Sequence, residues 1–138
     1  MRIFVDANVI LDVIMERQPF ADDSRAFLAL CSKRKAALAP HTVANIFFIS
    51  RKKFSTRERK AILLGILSYI DIVPTGRHQI IQALQNDAID DFEDALQLEC
   101  AKEFNADFIV TRDPEHFIKS EIETISPSEF VEKYGGQE

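Results

Sequence analysis

The sequence predicts an α/β fold in which a parallel sheet is covered by helices on both faces. Short apolar runs alternate with longer segments of helical periodicity, the pattern typical of βαβ units. The apolar runs are nearly continuous, as expected for strands that are buried on both faces. With 138 residues, of which 46% are hydrophobic, the chain can bury a core by itself. We expect a single domain over residues 1–138, with the last few residues as a flexible tail.

Each element is placed from its pattern, in chain order. The short apolar runs predict strands near 2–6, 36–39, 70–73, 107–111 and 122–125. The periodic segments predict helices near 9–16, 22–32, 40–53, 56–68, 76–86 and 91–104. A last helix begins at Ser126-Pro127-Ser128-Glu129, which has the pattern of a capping box. We find no internal repeat, low-complexity segment or interdomain linker.

Charge is distributed unevenly along the chain. The net charge of −5 disfavours a protein that simply coats nucleic acid, because such domains are usually basic. Residues 31–60 nevertheless hold nine Lys and Arg against Glu58 alone, while residues 87–103 hold seven Asp and Glu against Lys102 alone. A basic segment and an acidic cluster therefore coexist. The basic side chains fall mostly at helix ends on the amino side of the sheet, where solvated ends are the favoured interpretation.

Cysteine content and hydropathy predict a cytoplasmic protein. Cys31 and Cys100 lie far apart without metal-ligand spacing, which favours reduced thiols and argues against a zinc site. Polar residues interrupt the apolar amino terminus, so it lacks the pattern of a signal peptide. The longest apolar run, 61–70, is about half of the ~20 residues that a membrane span needs. We predict no association with a membrane.

Acidic residues follow the predicted strands at one edge of the sheet. The first strand ends at Asp6, and the strand near 107–111 leads into Asp113. Open α/β proteins bind ligands at this carboxyl edge. The helix near 91–104 reaches the next strand through a short turn, so its amino terminus, with Asp91 and Asp94, lies at the same edge. Asn45, in the first turns of the helix near 40–53, is placed there too.

Two of these acids also lie on the face of a helix that should pack on the sheet. Asp91 and Asp94 share one stripe with Leu98 and Ala101. Ionised carboxylates in such a position need a cation, hydrogen-bond donors or open water. Oxygen ligands from Asp and Asn suit Mg²⁺ or Mn²⁺ better than zinc. The pattern therefore predicts phosphate chemistry assisted by a divalent metal.

Helix capping is the alternative explanation for most of these acids, but Asp94 lies about one turn inside its helix, where the pattern expects an apolar side chain. Asp90 with Glu93 matches an Asp-x-x-Glu box, and for this pair we favour capping. Asp113 precedes a proline, as an N-cap often does. Asp6 could cap the helix that follows it, and Asp91 could act through the helix dipole. Convergence of several acids on one edge favours a metal site.

Four segments resemble the PIN-domain family of ribonucleases, which includes the VapC-type toxins of bacterial toxin–antitoxin pairs. The matching segments are Phe4-Val5-Asp6-Ala7-Asn8-Val9-Ile10-Leu11-Asp12, His41-Thr42-Val43-Ala44-Asn45-Ile46, Asp91-Phe92-Glu93-Asp94-Ala95-Leu96-Gln97 and Ala106-Asp107-Phe108-Ile109-Val110-Thr111-Arg112-Asp113, followed by Phe117. Their order and spacing agree along nearly the whole chain. The resemblance implies a three-layer α/β/α domain with a parallel sheet of about five strands.

The resemblance also implies a function and a set of site residues. The expected activity is endonucleolytic cleavage of RNA that depends on Mg²⁺ or Mn²⁺ and leaves 5′-phosphate and 3′-hydroxyl ends. The metal-binding and catalytic acids would be Asp6, Asp94, Asp113 and Asp91. Accessory roles would fall to Asn8, Asn45 and Thr111.

One position departs from the common pattern of the family. Many members carry glutamate in the second motif, where this chain has Asn45, as does a subgroup of the family. The missing charge should weaken metal binding, and we hypothesise that Asp91 restores it. Calorimetric titration of Asp91→Asn should then show clearly weaker metal binding than the parent protein.

Other residues are candidates for contacts with substrate or partners. Arg112 is adjacent to Asp113 and His41 lies at the carboxyl edge, so both are predicted to contact RNA. His116 could also approach the site, but a surface position is the favoured interpretation. Five phenylalanines recur at helix-compatible spacing and are expected mostly in the core, although part of their surface could bind a cognate antitoxin or a second copy of the chain: Phe20, Phe27, Phe47, Phe48 and Phe54. We predict a homodimer.

Two other classes of function remain open on the sequence alone. One is a PIN-like module that binds RNA or protein without cleaving, which Asn45 favours. The other is a phosphatase or receiver-type phosphotransfer domain on a similar sheet. Against the latter, the first motif reads Asp-Ala-Asn rather than Asp-x-Asp, and the third strand begins with Asp71 instead of ending in an aspartate.

Overall fold

The protein is described by a computed structural model that covers residues 1–136. Five parallel strands form one sheet in the order β3-β2-β1-β4-β5. Their bounds are β1 Arg2–Val5, β2 Lys35–Leu38, β3 Asp71–Ile72, β4 Phe108–Val110 and β5 Glu123–Ile125. The predicted flexible tail includes residues 137 and 138, which lie outside the described residues.

The order of the strands changes direction at β1. The chain moves outward from β1 through β2 to β3, and then crosses back to β4 and β5 on the other side of β1. β1 pairs with β4 through Ile3 and Phe108, Phe4 and Ile109, and Val5 and Val110. In open α/β sheets, ligands bind at the carboxyl ends of strands where the order reverses. The ends of β1 and β4 are therefore the expected position of a functional site.

Within residues 1–136, seven α-helices cover the two faces of the sheet. They are α1 Ala7–Ile14, α2 Ala21–Cys31, α3 Pro40–Ile49, α4 Thr56–Leu67, α5 Arg77–Leu84, α6 Phe92–Glu103 and α7 Pro127–Tyr134. Two short 3₁₀ helices, Ser50–Lys52 and Pro114–Phe117, follow α3 and β4. Because successive side chains of a strand point to opposite faces, Ile3 and Val5 pack into one core and Phe4 into the other. The first core includes side chains of α1, α2, α3, α4 and α7, and the second includes those of α5 and α6.

The structure confirms the predicted α/β/α architecture and the order of all twelve elements. The helix predicted over 40–53 is shorter: α3 ends at Ile49 and continues only as the 3₁₀ turn. The last helix is capped as predicted, since the Ser126 side chain accepts a hydrogen bond from the Glu129 amide. Over residues 1–136, no helix combines the length and apolarity needed to cross a bilayer.

Candidate active site

Asp6 follows β1 directly and is almost completely buried, with 5% of its surface exposed. It occupies the N-cap position of α1, but its side chain makes no capping hydrogen bond. Instead, Gln97 Nε2 donates to Asp6 Oδ1 at 2.9 Å, and Thr111 Oγ1 donates to Asp6 Oδ2 at 2.7 Å. Two donors from α6 and from the end of β4 thus fix the plane of one carboxylate.

The segment after β4 is held against α1 by the Asn8 side chain. Asn8 Nδ2 donates to Asp113 Oδ2 at 3.2 Å, and its Oδ1 accepts from the Arg112 amide at 3.3 Å. Thr111 is fully buried and its Oγ1 also accepts from the Asp113 amide at 3.0 Å. The Asp113 side chain does not cap the 3₁₀ helix that it precedes. Asn8 and Thr111 therefore position Asp113 beside Asp6.

α6 begins one residue later than the capping-box interpretation requires. Its N-cap is Asp91, whose Oδ1 accepts from the Asp94 amide at 2.9 Å. The preferred assignment of Asp90 and Glu93 as a capping pair is therefore wrong. The extended backbone of Asp91 places its carboxyl group over the first turn of the helix, and Glu93 is left free to face the other acids. Asp91, Glu93 and Asp94 all line the same pocket as Asp6.

The charges of these acids act on one another. Burial, together with the negative charges of Asp91 and Asp6, raises the pKa of Asp94 to about 6, while His116 opposes that shift. His116 Nδ1 lies 3.6 Å from Asp94 Oδ2. No Lys or Arg of residues 1–136 forms an ion pair with Asp94 or Asp91. Asp94 is thus a carboxylate whose negative charge the protein itself leaves largely uncompensated.

Asn45 takes part in this site through Glu93. Burial raises the pKa of Glu93, and the nearby Asn45 side chain opposes that shift. The charges of Asp91 and Asp6 add to the upward shift in the pKa of Glu93. Asn45, the residue that replaces glutamate in the second motif, therefore lies next to a carboxylate. That carboxylate belongs to Glu93, whereas the sequence-based expectation is Asp91. The compensation by Asp91 stays a prediction.

Together these residues form a pocket of about 240 Å³, which we call the acid pocket. Five carboxylates line it, along with two side chains that can carry positive charge: Asp6, Asp91, Glu93, Asp94 and Asp113, with Arg112 and His116. Hard oxygen ligands with a net negative charge fit Mg²⁺ or Mn²⁺. Within residues 1–136, no three His, Cys, Asp or Glu side chains already surround one point closely enough to hold an ion. The chemistry of the ligands fits a divalent cation, and binding would require their side chains to turn inward.

Arg112 is only partly available to a substrate. Its Nη1 donates to Asp12 Oδ1 at 2.9 Å, and its Nε lies 3.7 Å from Asp113 Oδ2. The guanidinium carbon lies 4.6 Å from the centre of the Phe20 ring. Asp12 is fully buried and also lies 3.9 Å from Arg17. The ion pair between Asp12 and Arg112 joins α1 to the segment after β4. The remaining exposed part of Arg112 lines the acid pocket.

His41 lies at the start of α3, at the predicted edge of the sheet. Both of its ring nitrogens are buried and have no hydrogen-bond partner among the described residues. Burial lowers the pKa of His41, and the charge of Asp6 opposes that shift. His41 is absent from the lining of the acid pocket. Its predicted contact with RNA therefore has no exposed nitrogen to support it in this structure.

Sequence reasoning missed three residues of this site and assigned His116 to the surface. Gln97 lies one turn after Asp94 on the buried face of α6, and a glutamine on such a face is the signal that could have found it. Glu93 was assigned to capping. Asp12 shows no local signal, because its partner Arg112 is 100 residues away. His116 is 48% exposed and yet lies beside Asp94.

Comparison with known sequences finds one family for most of the chain. The profile of a family described as PIN domain matches residues 2–115. Ribonuclease VapC1 of Aquifex aeolicus (strain VF5) is 24% identical over 138 residues, covering 96% of this chain and 95% of that protein.

Solved structures share the fold at low sequence identity. A chain in the crystal structure of VapBC2 from Rickettsia felis, bound to a DNA fragment from their promoter, superposes with a TM-score of 0.71 at 18% identity, covering 91% of this chain and 98% of that chain. A chain in the structure of VapBC-1 from nontypeable Haemophilus influenzae gives a TM-score of 0.67 at 13% identity, covering 93% and 99%. These likenesses establish the fold.

Proposed function

The chain belongs to the PIN-domain family, and from this premise we propose that it is a metal-dependent endoribonuclease that cuts RNA in the acid pocket. The observation that carries the proposal is Asp6, a buried carboxylate held by two donors and facing four further carboxylates. Ribonuclease VapC1, a relative along almost the whole chain, is named for the same activity. A receiver-type phosphotransfer domain does not agree with the family.

Four residues would hold the metal in this proposal: Asp6, Asp94, Asp113 and Asp91. A bound Mg²⁺ or Mn²⁺ would supply positive charge to the attacked phosphate and acidify the attacking water. Gln97 and Thr111 keep the Asp6 carboxylate in place before substrate arrives. Such preorganisation avoids the cost of ordering the carboxylate during the reaction.

Proton transfer falls to the acids that line the pocket. In the metal-free protein the pKa of Asp94 is raised to about 6, and an oxygen of such a carboxylate that does not hold the metal could act as a general base. That oxygen can accept the proton of the attacking water. His116 Nδ1, at 3.6 Å from Asp94 Oδ2, is placed to exchange that proton with solvent.

Partners follow from the same premise. We propose that the chain is the toxin of a toxin–antitoxin pair, because two solved structures that share its fold are VapBC assemblies. A reading frame for a small antitoxin next to this one would support the pair, and purification of the two proteins as a complex would test it.

The cytoplasm is the compartment proposed for an RNA-cleaving toxin. The homodimer stays a prediction, which light scattering can test.

The test of the function is cleavage of mixed RNA by the purified protein. With Mn²⁺ or Mg²⁺ we expect products with 5′-phosphate and 3′-hydroxyl ends, and EDTA should stop their formation. Asp6→Asn and Asp94→Asn should each reduce cleavage at least about 100-fold, because each removes a charge aimed at the reacting phosphate. Equal activity in these variants would identify a contaminating nuclease and contradict the proposal.

Two observations favour a second function. In residues 1–136 no three candidate ligands are assembled around a point, and Asn45 replaces the glutamate common in the family. A PIN-like module that binds RNA without cutting it would have this arrangement. It predicts retention of RNA on the protein with no cleavage for any divalent metal.

A further inference from the structure

A second cavity, which we call the side cavity, lies beside the acid pocket and has a volume of about 250 Å³. Its walls come from the start of α2, the start of α7 and the segment after β4. Arg112 lines both the side cavity and the acid pocket, so the two are neighbours separated by one side chain. Nothing in the proposed cleavage reaction uses this cavity.

The side cavity has apolar walls. Pro19, Phe20 and Pro127 all line it. The guanidinium of Arg112 lies over the Phe20 ring, 4.6 Å from its centre, yet Phe20 keeps 39% of its surface exposed. An exposed aromatic ring beside a positively charged group is the kind of platform on which unstacked bases of single-stranded RNA lie.

One buried hydroxyl in this cavity lacks a partner. Ser24 is 1% exposed and lines the cavity, and its Oγ makes no hydrogen bond to any residue of 1–136. Buried hydroxyl groups are normally paired, because an unpaired one loses its bond to water without replacement. A ligand that carries a hydrogen-bonding group into the cavity would satisfy Ser24.

The charges around the cavity disfavour an anion and favour a ligand with N–H groups. Asp23 contributes a carboxylate to the lining and can only accept hydrogen bonds. At the start of α7, Ser126 Oγ already accepts from the Glu129 amide. Arg112, the cation that lines the cavity, is already paired with Asp12 and Asp113. A phosphate group would therefore meet the negative charge of Asp23. A neutral base edge with N–H donors would instead pair with Asp23.

We propose that the side cavity is a nucleobase subsite that receives the base next to the cleaved phosphate of the RNA, with guanine preferred. Guanine presents two adjacent N–H groups to Asp23, offers its carbonyl and ring nitrogen to hydroxyl groups such as that of Ser24, and stacks on Phe20. Because Arg112 lines both the side cavity and the acid pocket, a base bound here would lie beside the site of cleavage. The proposal rests on the proposed ribonuclease function, because RNA is the molecule that would supply the base. Binding of a base in the cavity can be tested without cleavage.

The first experiment measures base preference at the cut. Mixed RNA is cleaved by the parent protein in Mn²⁺, and sequencing of the new ends gives the frequency of each base on both sides of the cut. We expect guanine to be enriched at one position. Asp23→Asn and Ser24→Ala should each reduce that enrichment about 5-fold or more, since a good pair of hydrogen bonds to a base contributes discrimination of this order. Asp22→Asn is the matched control, because Asp22 is an exposed neighbour that pairs with Arg25 and is not part of the cavity.

The second experiment measures binding without cleavage. NMR titration of the intact protein with each of the four nucleoside 5′-monophosphates, and with inorganic phosphate, should move the Ser24 and Ser128 amide signals most strongly for guanosine monophosphate. Phosphate alone should leave them unchanged. Phe20→Ala should weaken guanosine monophosphate binding at least about 5-fold, as expected for the loss of base stacking.

The outcomes separate the two proposals. If guanosine monophosphate binds in the cavity but no RNA is cleaved, the subsite stands and the ribonuclease function fails. If RNA is cleaved with the same base preference in the parent, Asp23→Asn and Ser24→Ala, the subsite is overturned. Shifts that appear only at the acid pocket, or cavity signals that move only when a protein partner is added, also overturn it.

Discussion

Asp12 and Asp94 are both carboxylates that burial makes harder to ionise, but the protein surrounds them differently. At Asp12, burial raises the pKa, and the positive charges of Arg112 and then of Arg17 oppose that increase. At Asp94, burial also raises the pKa, and the charges of Asp91 and Asp6 add to that increase. Asp12 thus has its cations within the chain, whereas Asp94 faces other acids. The difference favours a structural role for Asp12 and supports the proposal that the acid pocket binds a cation.

Removing the charge of Asp12 should affect stability most. In Asp12→Asn, Arg112 loses its buried partner, and we expect the free energy of unfolding to fall by about 2 kcal/mol. Urea unfolding in EDTA measures this. An unchanged unfolding midpoint would show that the Asp12 pair contributes nothing and that the contrast with Asp94 is wrong.

Removing the charge of Asp94 should have the opposite effect on the metal-free protein. Its pKa is raised from 3.8 to about 6 by folding, so the folded state binds more protons than the unfolded state in this range, and stability falls as pH rises from about 4 to about 6. Asp94→Asn has no carboxyl group at this position, so its stability should not fall in this way as the pH rises. We expect it to be more stable than the parent by about 1–2 kcal/mol at pH 8 and equally stable at pH 4.

Asp90→Asn is the matched control for this pH comparison, because Asp90 is exposed and does not line the acid pocket. It should follow the parent at every pH. A parallel shift of Asp94→Asn and Asp90→Asn would mean that net charge, and not the pocket, sets the effect.

Gln97 should matter for metal binding because it holds one oxygen of Asp6. Gln97→Met keeps a similar volume but removes the amide donor at 2.9 Å. We expect Mn²⁺ to bind about 10-fold more weakly, which corresponds to about 1.4 kcal/mol for one charge-assisted hydrogen bond. Gln82→Met, on the exposed surface of α5, should bind Mn²⁺ like the parent in the same calorimetric titration.

Of these substitutions, the one at Arg17 should have the smallest effect on stability. Arg17 is 39% exposed and lies 3.9 Å from Asp12, so solvent screens the pair and Arg112 remains. Arg17→Ala should reduce the free energy of unfolding by no more than about 0.5 kcal/mol. A loss as large as that of Asp12→Asn would show that Arg17 is the main partner.

Much of this arrangement could be predicted from the sequence. Periodicity placed the helices and strands in the right order, because the apolar faces of each element must meet the core. The positions of Asp6 and Asp113 followed from the topology, since parallel strands end at one edge. Asp91 and Asp94 could be brought to that edge by the short turn between α6 and β4.

Other features depend on contacts that a sequence does not display. The start of α6 was misplaced by one residue because Asp90 and Asp91 are equally good caps, and only the backbone conformation of Asp91 distinguishes them. Because Asp91 is the N-cap, Glu93 does not act in a capping pair with Asp90 and instead lines the acid pocket. The roles of Gln97 and Asp12 depend on side chains about 90 to 100 residues away.

The most direct test of the contrast is calorimetric titration of the metal-free protein with Mn²⁺. The parent should bind Mn²⁺, Asp6→Asn and Asp94→Asn should bind it at least about 10-fold more weakly, and Asp90→Asn should match the parent, because only the first two remove a charge that faces the pocket. Equal Mn²⁺ affinity in the parent, Asp6→Asn and Asp94→Asn would contradict the assignment of the acid pocket as the metal site.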